Sequence, residues 1–402
     1  TCLQRIGHMT TPAATAIHGD VSPGFEPVRD AFVENFARRN ELGAACCVYR
    51  HGEKVVDIWG GVHSPGSARP FAADTMVIVY SATKGFSAMA LAVAHSRGWL
   101  DYDARIADYW PEFAQAGKAA ITVRQLLAHQ AGLHYFSAPV DWALVANLDR
   151  LAAVMARQRP AWPPGERQAY HAITLGFYEN ELMRRVDPHH RTIGQVFQYE
   201  IATPLSADAY IRLPETVPDG RLAPLQPAGA VRMILSLPLS GVLAAFNPRS
   251  HFYRSMIANP GTAVPTDAEH VYRRNFEVPS GGGVASARGI ARTYGAFSTG
   301  GAELGLRRET LAALSAPPVQ SARGFHDECV KGECAFSLGF MVPNPGFPFG
   351  HEGAFGSPGA GGSMGYADPA TGIGYGYVTN RMGVGITGDP RDVALRDALA
   401  AV

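Results

Sequence analysis

Lysine is scarce in this chain: Lys54, Lys84, Lys118 and Lys331 are the only four in 402 residues. Net charge is missing too, since 35 basic and 35 acidic side chains cancel. That balance removes the electrostatic footprint expected of a partner for nucleic acid or an anionic membrane surface. No apolar run approaches the roughly 18 residues needed to span a bilayer. The start shows no basic segment leading into an apolar one, as an export signal would. "TCLQRIGHM" (1–9) reads as a cloning remnant, and a cytoplasmic location is the expectation, with secretion left open. Cysteine is limited to Cys2, Cys46, Cys47, Cys329 and Cys334. Cys46 and Cys47 sit in an apolar run and read as small buried thiols. Cys329 and Cys334 could pair, or bind metal with His326, but two Cys and one His are an incomplete zinc set. No metal and no cofactor is therefore expected. No internal repeat or low-complexity segment is present.

What remains is the composition of a globular protein, 47% hydrophobic and 17% charged, long enough for one large domain or two. Phe25, Val28, Phe32 and Phe36 recur at helical spacing, with the helix ending near Gly43. "GAACCVYR", a His51-Gly52 turn and "KVVDIWGGV" read as a β-hairpin. "SATKGFSAMALAVAHSRGWL" predicts a long helix stopping at Gly98. "TVRQLLAHQAGL" predicts a second helix capped by Gly132, and "ITLGFYENELMRRV" a third. Strand character returns in "CAFSLGFMV", "GGSMGYADP" and "IGYGYVTNR", before a closing helix "PRDVALRDALAA". The expected fold is α/β: residues 10–75 and 275–402 form an antiparallel sheet domain flanked by terminal helices. Residues 76–274 are a mostly helical insertion, with the active site between the two.

Ser81 and Lys84 carry the first chemical signal. Residues i and i+3 share a helix face, so Ser81 Oγ and Lys84 Nζ can meet. About twenty serines and four lysines give roughly 0.2 Ser-x-x-Lys matches by chance, so the motif alone is weak. Ser81 follows the apolar run Met76 to Tyr80 and opens an apolar helix, where it either caps the helix or acts as a nucleophile. A serine hydroxyl needs an adjacent base. Lysine serves when burial depresses its pKa, and the flanks Ala82, Phe86 and Ala88 favour burial.

A second hydrolase signature, Gly361-Gly362-Ser363-Met364-Gly365, matches the nucleophile elbow. That fold places its histidine downstream of the serine, and no histidine follows His351. Ser363 lacks a base. Among the other histidines, His129 reads as a partner of helix-terminal carbonyls, His189-His190 as an exposed turn, and His171 as a candidate cleft residue.

Three ordered blocks then resemble one family. "VYSATKGFSAMALAVAHSRGWLDYDARIADYWPEF" with "ITVRQLLAHQAGL", "WPPGERQAYHAITLGFYENELMRRV" and "FGHEGAFGSPGAGGSMGYADPATGIGYGYVTNRMG" are similar to the serine β-lactamase-like superfamily. The branch is that of the class C β-lactamase-like carboxylesterases, family VIII. The resemblance implies Ser81 as nucleophile, Lys84 as its base and Tyr170 as the second proton-transfer group. From the residues, the phenol of Tyr170 relays a proton if a nearby ammonium lowers its pKa. Classical β-lactamases carry an asparagine two places after this tyrosine, where Ala172 stands here, and Lys-Thr-Gly on a strand lining the site. The equivalent reads as His351-Glu352-Gly353, making His351, Gly353 and the N–H of Ala354 the substrate and oxyanion groups. In the other alignment Ser357 takes that place, with Ala360 as the donor. Loss of the amide and the cation favours an uncharged ester over a β-lactam or peptide. The expected activity is hydrolysis of small carboxylic esters, with a β-lactamase or D-amino-acid amidase/peptidase, or a non-catalytic ligand-binding member, as alternatives. Self-association is left open. "LHYFSAPVDWALV" and "SLPLSGVLAAF" are candidate walls of an acyl or alcohol pocket.

Overall fold

The computed structural model describes residues 15–229, 239–259, 274–384 and 388–402; the segment read as a cloning remnant lies outside them. Strand β1 (Ile17–Val21) precedes helix α1 (Glu26–Arg38), and β2 (Gly43–Arg50) and β3 (Glu53–Gly61) form the expected hairpin. Its turn works because His51 and Gly52 both take left-handed backbone, φ 51° and 85°. Helices α2 (Thr83–Ser96), α3 (Thr174–Val186) and α4 (Ala287–Ser298) follow. The chain then adds β4 (Phe336–Ser337), β5 (Phe340–Met341), β6 (Phe355–Pro358), β7 (Met364–Asp368) and β8 (Ile373–Thr379), and closes with α5 (Pro390–Ala400).

The eight strands make one antiparallel sheet in the order β1-β3-β2-β8-β7-β6-β5-β4. The pairing of β2 with β8 joins the two ends of the chain, with Cys46 opposite Tyr377 and Cys47 opposite Gly376. Cys46 and Cys47 are buried free thiols pointing to opposite faces, as alternation in a strand requires. Cys329 and Cys334 also carry free thiols.

"GYGY" in β8 explains how the sheet is covered. Tyr375 and Tyr377 pack into one core with α1 and α5. The glycines face α4 so closely that a Cβ on Gly376 would lie 2.4 Å from the Ala287 carbonyl oxygen, and one on Gly374 2.2 Å from the Gly295 nitrogen. Backbone cannot yield as a side chain can. Gly376→Ala is therefore expected to cost about 3 kcal/mol, the upper part of the range for overpacking, read as a lower urea midpoint.

One predicted helix is shorter than its sequence suggested. The segment from Thr122 is helical only over Val123–Leu127, with a capping box between Thr122 and Gln125. His129, at φ 59°, turns the chain before Gly132 is reached. Among the described residues, no helix is long and apolar enough to cross a membrane.

Candidate active site

Strand residues Val77–Ile78 lead into a single 3₁₀ turn, Tyr80–Ala82, before α2 begins. Tyr80 has φ 44°, a left-handed conformation that a bulky residue holds only when its surroundings enforce it. The hydroxyl of Thr83 supplies part of that enforcement: it donates to the Tyr80 carbonyl at 2.5 Å and accepts the Gly283 N–H at 2.9 Å. Ser81 makes no capping bond to α2, whose N-cap position is Ala82. The cap alternative is thereby set aside. Ser81 Oγ instead stands 3.3 Å from Lys84 Nζ.

Lys84 is 2% exposed. Its Nζ donates to the carbonyls of Ala172 at 2.7 Å and Ser280 at 2.8 Å. Burial pulls its pKa down to about 7, against a smaller upward pull from Glu179. A neutral amine has two N–H donors and one lone pair. Two carbonyls occupy the donors, and the third position faces Ser81 Oγ. Protonation of the nitrogen converts that contact from acceptor to donor without moving an atom.

Ser280 was missed by sequence reasoning, although "PSGGG" carried a signal. Its Oγ accepts the Gly176 N–H at 2.6 Å and donates to the Ile173 carbonyl at 2.8 Å. A Cβ on Gly176 would lie 2.4 Å from the Ser280 nitrogen. Small residues here let a third segment reach the lysine.

Tyr170 stands beside the pair, and its interaction with Ser81 pulls the phenol's pKa down. Its ring lies beneath Lys84 Nζ, 4.9 Å from ring centroid to nitrogen, and stacks on Phe336 at 5.6 Å. The phenol is not acidified, contrary to the expectation above. Burial raises its pKa well past the ordinary tyrosine range, and the interaction with Ser81 only partly offsets this. Tyr170 is a neutral phenol.

His129 also departs from expectation. It is buried beside Tyr170, with ring centroids 5.0 Å apart, and its Nδ1 accepts the His171 N–H at 3.0 Å. Burial lowers its pKa well below the usual histidine range. His171 sits behind it, with Nε2 accepting the Leu133 N–H and Nδ1 on the Ala169 carbonyl. It supports the segment carrying Tyr170. His189 and His190 lie exposed, as read.

The opposite wall is β6. Ser357 donates from Oγ to the Ser81 carbonyl at 2.7 Å, and Ser357 and Pro358 line the cavity. The His351-Glu352-Gly353 placement is corrected here. "FGHEGA" forms a turn, not a strand, and Gly353 has φ 85°. His351 is exposed and paired through Nδ1 with Asp368 Oδ2 at 2.7 Å. Ala354 is buried in the core under α1 and α5, and its N–H already donates to the His351 carbonyl at 3.0 Å. None of the three lines the cavity. Ser363 sits between β6 and β7, its carbonyl accepting the Gly359 N–H at 2.7 Å, and is also outside the lining.

Together these groups border a cavity of about 240 Å³. Ser81, Lys84, Tyr170, His129 and Ser357 are its polar members, while Val330, Phe336, Met341 and Pro358 give it apolar walls. The two apolar stretches proposed as walls contribute no lining residue; of the second, residues 236–238 lie outside the described residues. Gln168 holds the Val330–Cys334 side, with Nε2 donating to the Cys334 carbonyl at 2.9 Å. Asp327 accepts the N–H groups of Cys329 and Val330. Among the described residues no cluster of three or more metal-ligating side chains is found.

Comparison with known proteins bears on this arrangement. The Beta-lactamase family model matches residues 28–400. The chain belongs to the beta-lactamase family. This family member is 33% identical over 385 residues to Esterase/beta-lactamase LipL of Mycobacterium tuberculosis (strain ATCC 25618 / H37Rv), covering 93% of this chain and 85% of that one. A solved family VIII carboxylesterase superposes with a TM-score of 0.84 at 35% identity, covering 96% of this chain and 99% of its own. A penicillin-binding protein homologue from Caulobacter crescentus gives 0.82 at 35% identity, covering 96% and 100%. The β-lactamase-like fold and the family VIII resemblance read from the three sequence blocks both agree with these likenesses, and the protein is a hydrolase of this fold.

Proposed function

We propose that this protein is a carboxylesterase that works through an acyl-enzyme on Ser81. The observation that carries the reading is the coordination of Lys84, whose two N–H groups are held by carbonyls while its third position faces Ser81 Oγ. In the proposed cycle, neutral Lys84 takes the Ser81 proton as Oγ attacks the ester carbonyl. The oxyanion is received by the Ser81 N–H and, in the turn after β6, by that of Ala360. Pro358 has no N–H and that of Gly359 is bound to Ser363, so Ala360 is the next donor along. Each such donor is worth about 3 kcal/mol of barrier. Tyr170, a neutral phenol lining the same cavity as Ser81, protonates the departing alkoxide. Water then releases the acyl group.

The choice of an ester over a β-lactam or peptide rests on what the cavity lacks. Among the described residues Lys84 is the sole lysine or arginine in its lining, and Ala172 has no amide to hold a substrate amide. A substrate carboxylate would meet no second cation among them. The likeness to a penicillin-binding protein homologue keeps the β-lactam reading open to measurement. A kcat/KM ratio favouring a p-nitrophenyl ester over a chromogenic cephalosporin is expected; the reverse ratio would overturn the substrate class.

The nucleophile is tested by intact-mass spectrometry after treatment with a serine-directed fluorophosphonate. One adduct, mapped to Ser81 and lost in Ser81→Ala, is expected. Labelling at Ser363 would instead revive the elbow motif, and no labelling would favour a binding protein.

A further inference from the structure

One buried ionisable group near the site has no part in the mechanism above. Glu179, on α3, is fully buried, and neither carboxyl oxygen has a hydrogen-bond partner among the described residues. A bare buried carboxyl is costly, so something must make it tolerable. Its position narrows the answer. A Cβ built on Gly339 would lie 3.3 Å from Glu179 Oε1 and 2.8 Å from the Ala88 Cβ, one helical turn beyond Lys84. Gly339 lines the cavity. With φ 90° there and no side chain, little more than a glycine separates the carboxyl from the cavity that holds Ser81.

The surrounding charges are otherwise spoken for. Arg184 and Arg185 of α3 are bound by Glu181, Asp149 and Glu112. Tyr178, next to Glu179, is a buried phenol with a raised pKa. Among the described residues Lys84, from α2, is the one charged group whose field reaches Glu179, and the effect is mutual. The two make no direct ion pair, because the amine's three positions are taken by Ala172, Ser280 and Ser81.

We propose that Glu179 is the electrostatic partner of Lys84, a positioning residue that acts on Ser81 only through the charge it presents to the amine. The proposal rests on Lys84 being the base. When Lys84 takes the serine proton, an ammonium appears in a dry pocket, and a carboxylate nearby makes that state cheaper. Once ionised, the same carboxylate strengthens the hold of Lys84 on the serine proton. Burial lifts the Glu179 pKa to about 8, and Lys84 pulls it back in part, so the two groups titrate as a coupled pair.

The test is the acidic limb of kcat/KM against pH, which should rise in two steps, first as Lys84 becomes neutral near pH 7 and again as Glu179 ionises near pH 8. In Glu179→Gln the second step is lost and the limb has a single rise. Glu179→Asp restores the second step. A folded Glu179→Gln enzyme with an unchanged limb overturns the proposal. Should that variant not fold, the native protein gives the same information. With only four lysines, ¹³Cε-lysine NMR resolves Lys84, identified by its loss in Lys84→Ala. Two inflections in its titration support the coupling, and a single inflection overturns it. Lys84→Ala separates the two levels: if it is inactive while the limb in Glu179→Gln is unchanged, only the role of Glu179 falls. If it is fully active, the reading of Lys84 falls first.

Discussion

Lys84→Ala is expected to abolish acylation of Ser81, seen as loss of both the fluorophosphonate adduct and ester turnover. A serine hydroxyl without a base is a poor nucleophile, and general-base catalysis alone contributes about 10²–10⁴ in rate. Here the base is held in place by the Ala172 and Ser280 carbonyls. Removing the amine strands those two acceptors, so the variant should fold with native circular dichroism but melt earlier, losing about 1–3 kcal/mol. The unsubstituted enzyme carries the matching signature. Its kcat/KM should fall as pH drops through about 7, because burial sets the Lys84 pKa there and the ammonium cannot accept the serine proton. An active Lys84→Ala protein would return Lys84 to a structural role.

Tyr170→Phe should lower kcat on an alkyl ester by two orders of magnitude or more. The substitution removes only the hydroxyl, leaving the stack on Phe336 intact. As a neutral phenol, Tyr170 serves better as a donor to the leaving alkoxide than as a base. The loss should therefore depend on the leaving group: large for an alkyl ester, whose alkoxide needs a proton, and much smaller for a p-nitrophenyl ester. Equal losses on both esters would place Tyr170 in the activation of Ser81, and unchanged turnover would remove it from the mechanism.

How much of this was legible differs between residues. The three-residue spacing of Ser81 and Lys84 is a local property, and the fold keeps their side chains 3.3 Å apart despite a 3₁₀ turn between strand and helix. The strand character of "IGYGYVTNR" was likewise legible, whereas the packing of its glycines against α4 was not. "FGHEGAFGSPGAGGS" misled because glycine-rich sequence suits a turn and a close-packed strand equally. Which four residues pair was settled by the register of β6 with β7, a non-local fact. His129 was misplaced for a related reason: its helix ends early, and the freed ring turns into the core.

The sequence by itself carried the family resemblance in three ordered blocks, and it determined the main strands and the candidate pair Ser81 and Lys84, because spacing and periodicity act over a few residues. Tertiary structure alone decided that Lys84 is dry. The carbonyls that hold it come from positions 88 and 196 residues further along the chain. It also decided that Ser357 rather than His351 meets the cavity, and that the Glu179 carboxyl is buried with no hydrogen-bond partner among the described residues. Burial depends on what packs from elsewhere, and no short stretch of sequence contains its own surroundings.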